Sequence, residues 1–321
     1  MLHFKNILVP LDFDEGGEGL AAAAAQLASR FNAKLHLLHA IDLTLGVDVP
    51  PGCMRTMIEE SEEQLERLGE RFARYGFVVA TRMENPALFI QDYLRSTPID
   101  LVLMTTHGRK GLARMVVGST TERVIRHAAC PVLTLPYSAC VLPDSPRTAW
   151  LDRPRVDGES TGILVPADWS GSAREAVERA AELAHEYGGR LHLLHVVEEA
   201  ALKPPGPYAD DRSRMVLQTV RRLEQLSATA REQEMGNVVT GLACAHAVRF
   251  GAPATEIARY ARENGVQLIV MATGRKTALE RLWPGSVTAG VLRRAPCAVF
   301  SMTHPERSLY GQTPNDRWPG R

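Results

Sequence analysis

Ile7-Leu8-Val9-Pro10-Leu11-Asp12 returns as Ile163-Leu164-Val165-Pro166-Ala167-Asp168, and Leu35-His36-Leu37-Leu38-His39 returns as Leu191-His192-Leu193-Leu194-His195. One ungapped offset of 156 (163 less 7, 191 less 35) relates both pairs. Over positions 7 to 39 it gives 14 identities in 33 positions, more than two unrelated segments would share through a common hydrophobic pattern. Later landmarks follow at an offset of 167: Pro86-Ala87 with Pro253-Ala254, Met104 with Met271, Gly118-Ser119 with Gly285-Ser286, and Cys130 with Cys297. The second half therefore repeats the first with 11 extra residues (167 less 156), which describes a tandem pair of domains and not a solenoid of short units.

Within each unit, short β-rich runs alternate with helical segments. In the first, 6–11, 34–41, 78–83, 100–105 and 131–135 read as strands. Leu20, Ala24, Leu27 and Phe31 form one helical stripe, and Met57, Ser61, Leu65, Leu68 and Phe72 a second. Pro86 opens a third helix, where its missing N–H costs little, and Gly118-Ser119 opens a fourth that carries Val124 and Ile125. The order βαβαβαβαβ predicts an α/β fold: two tandem, doubly wound, parallel five-stranded sheets with helices on both faces. Residues 1–136 form the first domain, Pro-rich 137–161 the linker, 162–303 the second domain, and polar 304–321 a tail. The short apolar fifth strands, 132–135 and 299–302, predict a pseudo-two-fold pairing of the domains through their edges, an intrachain pseudo-dimer that leaves room for a further homodimer.

The 321 residues suit two domains. Lys and Arg (37) balance Asp and Glu (37), so there is no global field to draw nucleic acid or an anionic membrane. Five cysteines without a CxxC pair fit a reduced, cytoplasmic protein better than a disulfide framework. No near-uniform apolar run of about 18 residues and no basic-then-apolar leader is present, which predicts neither secretion nor membrane spanning.

In an open α/β sheet, ligands sit beyond the carboxyl ends of the strands, and two segments of each unit lie there. Asp12 ends the first strand, placed either to accept hydrogen bonds from a ligand or to cap the following helix. Met104-Thr105-Thr106-His107-Gly108-Arg109 leaves the fourth strand and leads to Gly118-Ser119-Thr120. Gly108 admits a close backbone approach there. Gly118-Ser119 starts a helix whose free N–H groups form an anion site, with the Ser119 hydroxyl as an added donor.

Taken together, these segments resemble the universal stress protein family in its tandem form. Nucleotide-binding members carry Gly-x2-Gly-x9-Gly-[Ser/Thr] after the fourth strand, and this chain reads Thr105-x2-Gly108-x9-Gly118-Ser119, with Thr105 in place of the first glycine. The resemblance implies an adenine pocket from Pro10, Asp12, the backbone at Ala40, and Met104. It places ribose and phosphates against Thr105, His107, Gly108, Arg109, Gly118, Ser119 and Thr120. It further implies a stress-response regulator that binds ATP or another adenine nucleotide, with Mg as an accompanying ion; a slow ATP hydrolase and a ligand-free scaffold stand as alternatives. A second site would use Asp168, Val196, Arg275, Gly285 and Ser286, but there Arg275 replaces Gly108, so the glycine loop is degenerate.

Other signals are weaker. Gly17-x-Gly19-x-x-Ala22 looks like part of a dinucleotide fingerprint, but its glycines come five residues too late for the strand-helix turn. Gly274-Arg275-Lys276-Thr277 is a fragment of a phosphate loop with the wrong internal spacing. His36/His39 and His192/His195 stand three apart on strands, which sends each pair to opposite faces, against a shared metal and in favour of hydrogen-bonded core histidines. No paired carboxylates or nucleophilic triad stand at the strand ends, so no catalytic residue is assigned.

Overall fold

The computed structural model describes residues 3–14, 16–42, 50–106, 117–141, 161–198, 210–233, 242–273 and 287–303. The first half runs β1 (Asn6–Pro10), α1 (Gly17–Phe31), β2 (Lys34–Ala40), α2 (Pro51–Phe72), β3 (Phe77–Arg82), α3 (Pro86–Ser96), β4 (Leu101–Thr105), α4 (Ser119–His127), β5 (Val132–Leu135) and α5 (Tyr137–Val141). Its strands lie parallel in the order β3-β2-β1-β4-β5. Ile7, Leu8 and Val9 of β1 and Leu101 to Met104 of β4 are all buried, because central parallel strands are covered on both faces and carry unbroken apolar runs. β3 is half-buried along its length, as an edge strand should be.

The second half repeats the pattern as β6 (Gly162–Pro166), α6 (Gly171–Glu186), β7 (Arg190–Val197), α7 (Asp210–Gln233), β8 (Cys244–Phe250), α8 (Pro253–Glu263), β9 (Val266–Thr273), α9 (Val287–Arg294) and β10 (Ala298–Thr303). Its order is β8-β7-β6-β9-β10, again parallel. In each half the chain steps outward from its first strand and then crosses back to pair on that strand's other side. Right-handed crossovers then put the first two helices on one face and the next two on the other, with α1 packed on α2 and α3 on α4.

The strands match the sequence expectation to within a residue at each end. One segment differs. Tyr137–Val141, read with the linker, is a short helix whose Ala139 and Cys140 are buried. It rests on α1. Gly19 is the reason it fits, since a Cβ there would lie 1.7 Å from the Cys140 carbonyl oxygen, and a Cβ on Gly16 would lie 2.6 Å from the Tyr137 ring. Gly19, one of the glycines that imitate a dinucleotide fingerprint, thus makes room for a helix. A five-residue helix is too short to show a period, so nothing in the sequence signals it. The remainder of the linker, 142–160, and the tail, 304–321, lie outside the described residues.

Entry into β1 is fixed by a carboxylate. Asp100 Oδ2 accepts from Lys5 N at 2.8 Å and Asn6 N at 2.9 Å. In the repeat, Gln267 Oε1 accepts from Gly162 N at 2.5 Å at the equivalent place, so an amide does the same work without charge.

Candidate functional site

β1 is paired with β2 from Asn6↔Lys34 to Pro10↔Leu38, but with β4 only at Ile7↔Leu101 and Leu8↔Val102. Both strands run on, β1 to Pro10 and β4 to Thr105. They part before they end, at the point where the strand order reverses, which is where open α/β sheets form their ligand crevice. The second half does the same: β6 pairs with β9 up to Leu164↔Ile269, while β6 continues to Pro166 and β9 to Thr273.

Around the first crevice the structure places Pro10 and Ala40 half-buried, Met104 buried and Asp12 exposed. The end of β1 is clamped from β2, where His39 Nδ1 donates to the Leu11 carbonyl at 2.7 Å. The acceptor is a carbonyl, so Nδ1 carries the proton. The Phe13 ring lies over the same imidazole, centroids 4.2 Å apart. These contacts hold the residues on either side of Asp12, and no donor is set against its carboxylate among the described residues. The Asp12 carbonyl accepts from Asp14 N, and Gly17 N donates to Asp14 O at 3.0 Å, turning the chain into α1.

The opposite wall is the start of α4. Gly118 is its N-cap and offers no side-chain cap. Gly118 N donates to the Thr106 carbonyl at 2.9 Å, and Thr121 Oγ1 donates to the Thr105 carbonyl at 3.0 Å. The helix start is thereby tied to the end of β4, with Ser119 exposed and Gly118, Thr120 and Thr105 half-buried. First-turn N–H groups without a side-chain cap are ready donors to an anion. Pro10, Asp12, Met104 and Thr105 thus stand at the carboxyl ends of β1 and β4, Gly118, Ser119 and Thr120 at the helix start tied to β4, and Ala40 at the end of β2. His107, Gly108 and Arg109 lie outside the described residues.

The second crevice is furnished differently. Asp168 Oδ1 accepts from Ser170 N at 3.1 Å and Ser170 Oγ at 2.5 Å, and Ser170 in turn caps α6 through Ala173 N at 3.2 Å. Here the strand-one aspartate holds the capping residue Ser170 and is not itself the cap. His195 Nδ1 repeats the clamp on the Ala167 carbonyl at 2.7 Å. Trp169 stacks on His195 at 4.7 Å, carries the Arg222 guanidinium 4.2 Å above it, and takes a left-handed φ of 63°. A bulky residue held there is strained, and its two stacking partners compensate. Val196 lies half-buried at the end of β7. Arg275, Gly285 and Ser286, with Gly274 and Lys276, lie outside the described residues.

His39, His195, Phe13, Trp169 and Thr121 were not singled out as site residues in the sequence. The repeat held a signal for three of them, since His39 returns as His195 and Thr121 as Thr288. His36 and His192, the other pair, bond away from the crevice: His36 to Tyr93 Oη at 2.8 Å and Asn6 Oδ1 at 3.1 Å, His192 to Tyr260 Oη at 3.1 Å. Each is a hydrogen-bonded core histidine on the face opposite its partner. Among the described residues no three His, Cys, Asp or Glu converge as a metal group, and no helix is long and apolar enough to cross a membrane.

The sequence profile of the universal stress protein family matches residues 3–136 and 161–300. A universal stress protein of Methanocaldococcus jannaschii is 30% identical over 139 residues, 41% of this chain and 82% of that protein. Among solved structures, a universal stress protein from Archaeoglobus fulgidus superposes with a TM-score of 0.65 at 21% identity, over 93% of this chain and 98% of its own. A Pseudomonas aeruginosa protein described as functionally unknown follows the same fold, with a TM-score of 0.58 at 16% identity over 95% and 94%.

Proposed function

Because the chain belongs to the universal stress protein family, with two of its domains in tandem, we propose that its first half binds an adenine nucleotide, ATP foremost, and that the protein acts as a nucleotide-responsive stress regulator. The observation that carries this reading is the crevice where β1 and β4 part, with an exposed carboxylate on one wall and an uncapped helix start on the other. Asp12, without a protein donor among the described residues, suits the hydroxyl and amino donors of a sugar or base. The first-turn N–H groups of α4 and the Ser119 hydroxyl suit phosphate oxygens, and Glu122 within that turn is drawn aside towards Arg126 at 3.8 Å. Met104 and Pro10 supply the apolar floor a base needs.

Opposite polarities at the two ends of one crevice select a ligand with donors at one end and anionic charge at the other. Calorimetric titration of the purified chain with ATP, GTP and inorganic triphosphate tests this. ATP binding at least about tenfold tighter than the other two, weakened by Asp12→Ala, is the expected result. Equal affinity for triphosphate alone would reduce the site to a phosphate cradle. Mass spectrometry of ligand retained through purification separates sensing from hydrolysis, since intact ATP supports the first and ADP the second.

A further inference from the structure

Strand β8 carries a polar cluster that the first half lacks. Cys244 and His246 stand two apart on β8, on one face, opposite Leu191 and Leu193 of β7. The same register in the first half, opposite Leu35 and Leu37 of β2, holds Phe77 and Val79. There Phe77 nests against α2, where a Cβ on Gly69 would lie 2.4 Å from its ring. The fold is therefore satisfied by apolar packing at this position. In the second half a thiol, an imidazole and a hydroxyl stand in its place.

Cys244 Sγ lies 3.5 Å from His246 Nε2, and Ser227 Oγ of α7 lies 3.0 Å from that same nitrogen. Ser227 Oγ also lies 2.9 Å from the Glu224 carbonyl, which can only accept. Its one proton being directed there, Ser227 receives the proton of Nε2. Nε2 then presents N–H, not a lone pair, to the sulfur. An N–H donor beside a thiol favours the thiolate, the form that reacts. The Tyr260 hydroxyl is raised first by burial and also by Cys244, with the Arg249 and Arg190 charges opposing.

We propose that Cys244 is a nucleophilic thiol, held reactive by His246 and Ser227, and that it is a site of oxidation by hydroperoxides. The sulfur attacks the terminal peroxide oxygen; an S–O bond forms as the O–O bond breaks. The thiol first gives its proton to water and the departing oxygen takes a proton from water, so thiol and hydroperoxide give sulfenic acid and an alcohol, or water from hydrogen peroxide. Sulfur loses two electrons and the peroxide gains them. The other cysteines frame the contrast. Cys130 and Cys140 are buried, with thiols pushed up to about 12 by that burial, whereas Cys53 is exposed and Cys244 half-buried.

Exposure alone would make Cys53 the faster to react. The intact chain is treated at pH about 7 with hydrogen peroxide and a cyclic dione that traps sulfenic acid, and the peptides holding Cys53 and Cys244 are quantified by mass spectrometry. Cys244 labelling at least about tenfold faster than Cys53 is expected, with the excess removed by His246→Val, which restores the residue of the first half. A wild type in which Cys53 labels first overturns the proposal, whatever the variant does. So does a variant of unchanged circular dichroism in which Cys244 keeps its rate.

Discussion

Asp12 and Asp168 occupy the same place in the two repeats and differ in what surrounds them. Ser170 binds the second carboxylate twice, through its backbone N–H and its hydroxyl, while its counterpart in the first half is Asp14, whose side chain cannot donate and whose N–H goes to the Asp12 carbonyl. The first aspartate keeps its carboxylate without a donor among the described residues and the second is spent on its own turn. Across the crevice, Gly118→Asp places a carboxylate at the N-cap of α4, where it accepts the N–H groups that would otherwise meet phosphate. Each charge-assisted bond lost is worth roughly 1.5–3 kcal/mol. ATP affinity measured by calorimetry is expected to fall more than tenfold with the thermal midpoint held or raised. Unchanged affinity in the folded variant removes Gly118 from the site. His36 makes a separate expectation. Burial first, and the Lys34 charge second, lower its pKa from 6.5 to about 4, with Asp100 opposing. Between those values the unfolded chain binds a proton that the folded chain refuses, so stability falls as pH drops from 6.5 towards 4. Burial lowers His192 as well, which adds in the same direction. Urea midpoints at pH about 7 and about 4.5 should show the loss, and His36→Gln should shrink it; a midpoint independent of pH would count against it.

Among the elements, α5 shows what a short helix can do for a longer one. It occupies the side of α1 that Gly16 and Gly19 leave open, and its Cys140 is buried there. Gly19→Ala sets a methyl 1.7 Å from the Cys140 carbonyl oxygen, a contact that backbone cannot relieve by a rotamer change. The expected outcome is displacement of α5 with a loss of about 1–3 kcal/mol, the usual scale for overpacking. Cys140 reports it directly: its thiol, pushed up to about 12 by burial, should become open to maleimide in the folded variant. If Cys140 stays as unreactive as in the wild type, α5 is not seated by that glycine. The α3 start offers a simpler case, where Asn85 Oδ1 accepts from Ala87 N at 3.1 Å and Pro86 sits at the first helical position. Pro86 was legible in the sequence, because a helix and its opening residue are neighbours along the chain.

For the whole chain, duplication followed by divergence leads to an expected stoichiometry. Both halves keep the parted strands and the histidine clamp. Only the second has its aspartate occupied and its next residue, Trp169, pinned between His195 and Arg222. At the glycine-loop register the sequence adds Arg275 for Gly108 and Pro284 before Gly285. One ATP per chain, bound in the first half, is therefore expected from titration. Two equivalent sites, or a single site abolished by Asp168→Ala and untouched by Asp12→Ala, would overturn the assignment.

The doubled strand pattern, the tandem order and the strand-end candidates were legible in the sequence because their causes are local. A doubly covered parallel strand must be an unbroken apolar run such as Ile7-Leu8-Val9, and a repeat states each such run twice. Pro10, Asp12 and Gly118-Ser119 were legible for the same reason, as residues of special chemistry at predicted strand and helix ends. What surrounds them was not. The bonds of Thr121 to Thr105, His39 to Leu11 and His246 to Ser227 join residues 16, 28 and 19 apart. Gly19 meets Cys140 from a different element again. No local preference encodes such meetings. They exist only once packing has brought separate elements of the chain together.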